Sequence, residues 1–300
     1  MARETALRID DCLADTFPGG PAGGQETDGL PGRKVGTIRF QEALRLREKE
    51  LGRRHPEVAK LLSNLGVFYA MRGEMPRAEG LFREALAIRE ATLGSWHPDV
   101  ALSLNNLGMA RASQGDRKQA EAMLLRGLKI RERALPPDHP DLAANLEALA
   151  VLYQDQRRAA ESEHLHRRAL AVWERTLGPD HPRTALILTN LGNTLAMQAG
   201  KGGEAEMLLR RAIRIREKAL GLHHPQLASS LKSLADLCRD EKRYAESESL
   251  YRRALAIYDT AYPPTHPERL ALLEGYARLL RATGRTAQAK AMEWEAGAKT

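Results

Sequence analysis

Histidine is the residue whose placement in this chain most invites chemistry. Six of the nine histidines stand before proline, at His55, His97, His139, His181, His224 and His266, spaced 42, 42, 42, 43 and 42 residues apart. A metal array is the first chemistry such a set suggests. Zinc, however, wants four ligands converging on a point, usually supplied as closely spaced pairs. Single histidines one period apart fall on successive layers instead, so a structural role at an element's entrance is the better reading. His164 and His166 are two residues apart, which on a helix points them to different faces. No metal ligand is assigned. There is no nucleophile elbow, no HExxH and no phosphate loop; the stretch AGKGGEA at 199–205 lacks the first glycine and the Ser or Thr of that motif. Cys12 and Cys238 are too few for a disulfide framework or a cysteine-rich metal site. No catalytic residue and no cofactor is assigned, and the chain is read as a non-enzyme.

The elements that carry these residues are helical. The 300 residues are 43% hydrophobic, 28% charged and only 5% aromatic, and Ala, Leu, Glu and Arg dominate. No apolar run is long enough for a membrane helix. The opening MARETALRIDDCLADT carries charges where a secretory segment needs apolar residues, so a cytoplasmic location is expected. With 46 basic and 39 acidic residues the chain bears +7 and a pI near 9.5, which invites a nucleic-acid reading. The charges are interspersed, with no block of five like ones, and that disfavours it.

Between the His-Pro markers the same text recurs, and each unit reads as two helices. Pro56 suits a first helical turn, and Val58, Leu62, Leu65 and Tyr69 follow helical spacing. Gly73, matched by Gly115, Gly200 and Gly284, turns the chain. The second helix buries Ala78, Leu81, Phe82, Ala85 and Ile88. Small residues recur at Gly66, Gly108 and Gly192 and at Ala78, Ala120 and Ala205, where missing side chains let two helices cross closely. The expected organisation is an N-terminal segment 1–16 with an amphipathic pattern over 2–13, and a Gly/Pro-rich linker 17–32. An incomplete first repeat, second helix only, follows at 33–54, then six repeats over 55–300. The one-residue excess of the fourth repeat falls in its inter-helix loop near 199–203.

The run Leu65, Gly66, Tyr69, Gly73, Ala78, Phe82, Ala85 resembles a tetratricopeptide repeat (TPR), and the 42-residue unit with LGPDHP at its seam resembles the kinesin-light-chain subtype. The resemblance implies an all-α, right-handed superhelical solenoid of stacked antiparallel helix pairs, covering about residues 33–300. It also implies a non-enzymatic scaffold that binds an extended peptide or partner domain in its concave groove. Lys60, Ser63, Asn64, Val67 and Met71 form one stripe of a first helix, about 200° round from its core positions. In TPR folds that stripe lines the groove, so the resemblance assigns ligand contact to Lys60, Ser63, Asn64 and Val67. Later repeats supply Asn105, Asn106, Met109, Glu147, Val151, Asn190, Asn193, Lys232, Asp236 and Arg278 at the same positions. Asparagine offers a donor and an acceptor and can hold a peptide main chain whatever its side chains; bonding between adjacent helices is the alternative. Over the whole stripe Lys60, Lys232 and Arg278 face Glu147, Asp155, Asp236, Asp240 and Glu274, so the basic excess lies elsewhere.

That excess falls partly on the second helices, at Arg83, Arg126, Arg167, Arg168, Arg210, Arg211, Arg252 and Arg253. Glu79–Arg83, Glu163–Arg167, Glu206–Arg210 and Glu248–Arg252 are i,i+4 pairs in the favourable order. The remaining four arginines are expected to be free. Two alternative functions follow: an anionic or nucleic-acid partner on this outer face, and a regulatory fragment of a larger multidomain protein.

Overall fold

The computed structural model describes residues 31–297, with side chains from residue 41 onward. Segment 1–16 and nearly all of the linker 17–32 lie outside the described residues. Within them are thirteen helices and no strand. A leading helix, α1 (Pro31–Leu51), is followed by twelve more. Two pairs come first, α2 (Pro56–Met71) with α3 (Met75–Leu93) and α4 (Pro98–Ser113) with α5 (Arg117–Ala134), and then the helices α6 (Pro140–Asp155) and α7 (Ala159–Thr176). Three further pairs are α8 (Pro182–Ala196) with α9 (Gly202–Leu220), α10 (Pro225–Asp240) with α11 (Tyr244–Ala261), and α12 (Pro267–Ala282) with α13 (Thr286–Gly297).

Every first helix starts in the same way. Proline occupies the first helical position and has no N–H, so the first donor needing a partner belongs to the next residue. The preceding histidine supplies that partner. Its Nδ1 accepts the backbone N–H of Glu57, Asp99, Asp141, Arg183, Gln226 and Glu268 in turn, at 3.0–3.3 Å. The six histidines are helix N-caps. Accepting through Nδ1 places the neutral ring's proton on Nε2.

The turn inside each pair is equally regular. Gly73, Gly115, Gly200 and Gly284 hold φ between +74° and +88°, in the left-handed region. The same sequence place is taken by Arg157 (φ +62°) after α6 and by Lys242 (φ +63°) after α10. The turn is thus kept where the glycine is not.

The chain divides into two compact units, residues 1–156 and 157–300. In the first, α2 packs on α3 and α4 on α5, each second helix meets the next first helix, and the first helices α2, α4 and α6 touch in series. In the second, α8 pairs with α9, α10 with α11 and α12 with α13, and α10 touches both α8 and α12. The crossings sit at the small residues. A Cβ on Gly66 would lie 2.5 Å from the Phe82 ring, and one on Gly192 would lie 2.8 Å from Leu209 Cγ. One on Gly108 would lie 3.1 Å from Leu124 Cγ and 3.3 Å from the Ala120 carbonyl.

Candidate functional site

The stripe expected to contact a ligand is carried by the first helices, so its exposure depends on how tightly those helices stack. In the first unit α4 is flanked by α2 and α6 and backed by α5, and its far side is covered too. Asn105, Asn106 and Met109 are buried, Asn106 with only 2% of its surface exposed. On α6, Glu147 (0%) and Val151 are buried. On α2, Val67 and Ser63 are buried, and Lys60 is exposed beside a half-buried Asn64. In the second unit none of the stripe residues Asn190, Asn193, Lys232, Asp236 and Arg278 is buried, and Arg278 is exposed. Seven of the fourteen expected contact residues therefore sit inside the helix stack.

What those buried side chains do is visible in their bonds. The Arg89 guanidinium, on α3, donates through Nη1 to Ser63 Oγ at 3.2 Å and Ser103 Oγ at 2.6 Å, tying α2 and α4 together. Arg216, on α9, repeats the device with Ser230 Oγ at 2.7 Å, and that hydroxyl lies 2.9 Å from Thr189 Oγ1. Arg131, on α5, holds the same repeat position, but its Nε and Nη1 are buried without a hydrogen-bond partner, as are Asn105 Oδ1 and Asn145 Oδ1. Burial pulls both Arg89 and Arg131 below the ordinary arginine value. These buried arginines were not singled out from the sequence. The signal was there, because Trp173 and Tyr258 occupy their position in other repeats and mark it as interior.

Asp236 belongs to an internal network as well. Its carboxylate accepts from Tyr251 Oη at 2.6 Å, Lys232 Nζ at 3.0 Å and Arg239 Nη1 at 2.5 Å. Burial alone would raise its pKa; the Lys232 and Arg239 charges and the tyrosine bond outweigh that and hold it below the usual range. Arg278 is different: its Nε donates to the Glu274 carbonyl at 3.3 Å, and no carboxylate of the described residues pairs with it.

The outer arginines correct an expectation. Arg126, Arg211 and Arg253, expected to be free, pair with Glu90 (2.6 Å), Glu174 (2.7 Å) and Glu217 (2.6 Å) on the preceding second helix. Arg168 is engaged too. The sequence hid this because the acid lies 36 or 37 residues back, one repeat away, where i,i+4 reasoning does not look. The i,i+4 pairs are themselves extended: Arg167 reaches Glu204 (2.7 Å) and Arg210 reaches Glu246 (2.5 Å) on the next repeat. Glu163 gathers Arg167, Lys201 and Gln198; these bonds override its burial and pull it down to about 2. Arg285 does the same for Glu248, with help from Tyr276, again to about 2. No group of three or more metal-ligating side chains converges among the described residues.

A helix pair that recurs along the chain is the mark of a repeat architecture. The tetratricopeptide repeat family profile matches residues 38–91, 57–133, 141–218, 194–260 and 232–296. The chain belongs to the tetratricopeptide repeat family. Among solved TPR-like structures, one from Podosopora anserina, described as kinesin light chain nearly identical TPR-like repeats, is 26% identical with a TM-score of 0.59. It covers 69% of this chain and 98% of its own. BtubC (BKLC) from P. vanneervenii is 21% identical with a TM-score of 0.64, covering 78% and 93%. The apo form of RapI, at 13% identity and a TM-score of 0.67, covers 88% and 91% and shows the fold alone. No curated protein matches the chain. TPR folds typically serve as protein-interaction scaffolds and are generally non-catalytic. No helix among the described residues is long and apolar enough to cross a membrane.

Proposed function

We propose that this TPR protein is a non-enzymatic scaffold that holds an extended peptide or partner domain against the exposed stripe of its first helices. The observation that carries the reading is the stripe of the second unit, where Asn190, Asn193, Lys232 and Arg278 keep polar groups at or near the surface. In the first unit Lys60 and Asn64 play that part. The buried members, Ser63, Val67, Asn105, Asn106, Met109, Glu147 and Val151, set the spacing of the helices that present them. A nucleic-acid or other anionic partner running along the arginine series of the second helices is less favoured, because carboxylates one repeat away neutralise Arg126, Arg211 and Arg253.

The test is a comparison of partners retained from native lysate, followed by titration of the retained fragment. Asn190→Ala with Asn193→Ala should leave the helices intact, since alanine is the better helix former. Each lost bond to a neutral group should weaken binding by about 0.5–1.5 kcal/mol, with little salt dependence. Arg253→Gln, on the outer face, should leave binding unchanged. Loss of binding in the arginine variant alone would overturn the groove reading.

A further inference from the structure

The outer surface of α5 departs from its repeat-mates. The helix carries six cations against two carboxylates, and all of the six except the buried Arg131 lie outside the core; α3 and α7 each carry three of either sign. Lys129 and Arg133 have no carboxylate partner among the described residues. Both instead address one aromatic ring: Arg133 Cζ lies 4.9 Å and Lys129 Nζ 6.0 Å from the centroid of Trp96, in the loop between α3 and α4. Trp96 remains 49% exposed, and Leu125 on the same face of α5 is 43% exposed.

The repeat itself shows what is unusual here. In the second unit the residue matching Arg133 is Lys218, and the residue matching Trp96 is Asp180; the two form an ion pair at 3.5 Å. The frames correspond closely, because Arg126 donates to the Ser95 carbonyl (3.5 Å) as its counterpart Arg211 donates to that of Pro179 (3.1 Å). Where one repeat sets a neutralising acid, this one sets tryptophan. The cations keep their charge and gain an apolar platform. A cation on a tryptophan face is held in place by the ring quadrupole, with its other side open to solvent.

We propose that Trp96, Leu125, Lys129 and Arg133 form a docking surface for an acidic peptide segment carrying apolar residues, separate from the first-helix stripe. Charge complementarity names the partner: two unpaired cations one turn apart call for carboxylates, and the exposed Leu125 and Trp96 beside them call for apolar side chains. The patch from Leu125 to Arg133 spans about 12 Å along the helix, the length of roughly three to four residues of extended chain. A nucleic-acid strand needs a longer basic track and successive stacking platforms, and this surface has one ring.

Fluorescence anisotropy of a labelled peptide, about twelve residues of alternating Glu or Asp and Leu, tests this on the full chain. Binding should appear and weaken as salt is added. Trp96→Ala combined with Arg133→Ala, and separately Lys129→Glu, should weaken it about tenfold or more. Arg214→Ala, removing an exposed cation of α9, should change nothing, and circular dichroism should be unaltered because all these residues are at the surface. Asn190→Ala with Asn193→Ala should also leave this binding intact, so failure of the groove reading and failure of this one are distinct results. The proposal is overturned by an anisotropy that stays flat up to about 1 mM protein, by equal binding to the Trp96/Arg133 variant, or by tighter binding of an oligothymidylate of equal length.

Discussion

Arg89 and Arg131 stand at one repeat position and meet opposite fates. Arg89 is satisfied by two serine hydroxyls, while two of Arg131's nitrogens have no partner. Removing a satisfied buried cation strands its acceptors, whereas removing a poorly satisfied one relieves a desolvation cost. Arg89→Met should therefore cost about 1–3 kcal/mol, and Arg131→Met should leave the melting temperature unchanged or raise it; equal losses in calorimetry would refute the distinction. The glycines sort in the same manner. Alanine in a helix gains about 1 kcal/mol over glycine, but overpacking costs about 1–3 kcal/mol. Gly66→Ala, 2.5 Å from a buried Phe82 ring, should destabilise, while Gly108→Ala, with 3.1 Å to Leu124, should come out near neutral. The recurrence of small residues made these crossings legible in the sequence. The burial of Asn105 and Asn106 was not, because a stripe's angle says which way a side chain points and nothing about which neighbouring helix covers it.

At the scale of the element, boundaries were the most legible feature of all. Proline cannot sit far inside a helix and glycine readily enters left-handed turns, so His-Pro and the Gly73 series marked where helices begin and pairs turn. Each of the six first helices does start on the proline after its histidine. The histidine's own task was only half visible: an entrance role follows from position, but that Nδ1 caps the second residue depends on ring orientation. Also hidden was the persistence of the turn at Arg157 and Lys242, since no local signal marks a side chain forced to positive φ. That strain is testable. A non-glycine residue in this region carries about 1–2 kcal/mol of steric cost, partly offset by glycine's greater freedom in the unfolded chain. Lys242→Gly should raise the stability of the second unit by about 0.5–1 kcal/mol. A fall in its denaturation midpoint would mean the lysine side chain supplies something that the backbone argument omits.

For the molecule as a whole, the caps and the inter-repeat ion pairs together dictate a response to acid. Burial holds His224 below the ordinary imidazole value of 6.5, with the nearby Arg216 charge adding to it. Burial alone lowers His266, whose ring also stacks on Tyr262 at 3.6 Å. Above pH 6.5 both rings are neutral, folded or unfolded, and their caps contribute in full. Below it the unfolded chain binds protons that the folded rings resist, so stability falls with pH until the lowered folded values are passed. Glu163 and Glu248, held at about 2 against an ordinary 4.5, add a second loss that starts only below pH 4.5. The melting temperature should thus be level between about pH 7 and 8, decline through a first step below 6.5 and through a second below 4.5. Asparagine caps a helix with a side-chain oxygen that does not titrate. Replacing His224 and His266 by Asn should therefore shrink the first step and leave the second, while Glu248→Gln should do the reverse. Thermal melts of the three proteins at closely spaced pH values decide it, and a first step of undiminished size in the asparagine variant would show that the capping histidines are not its source.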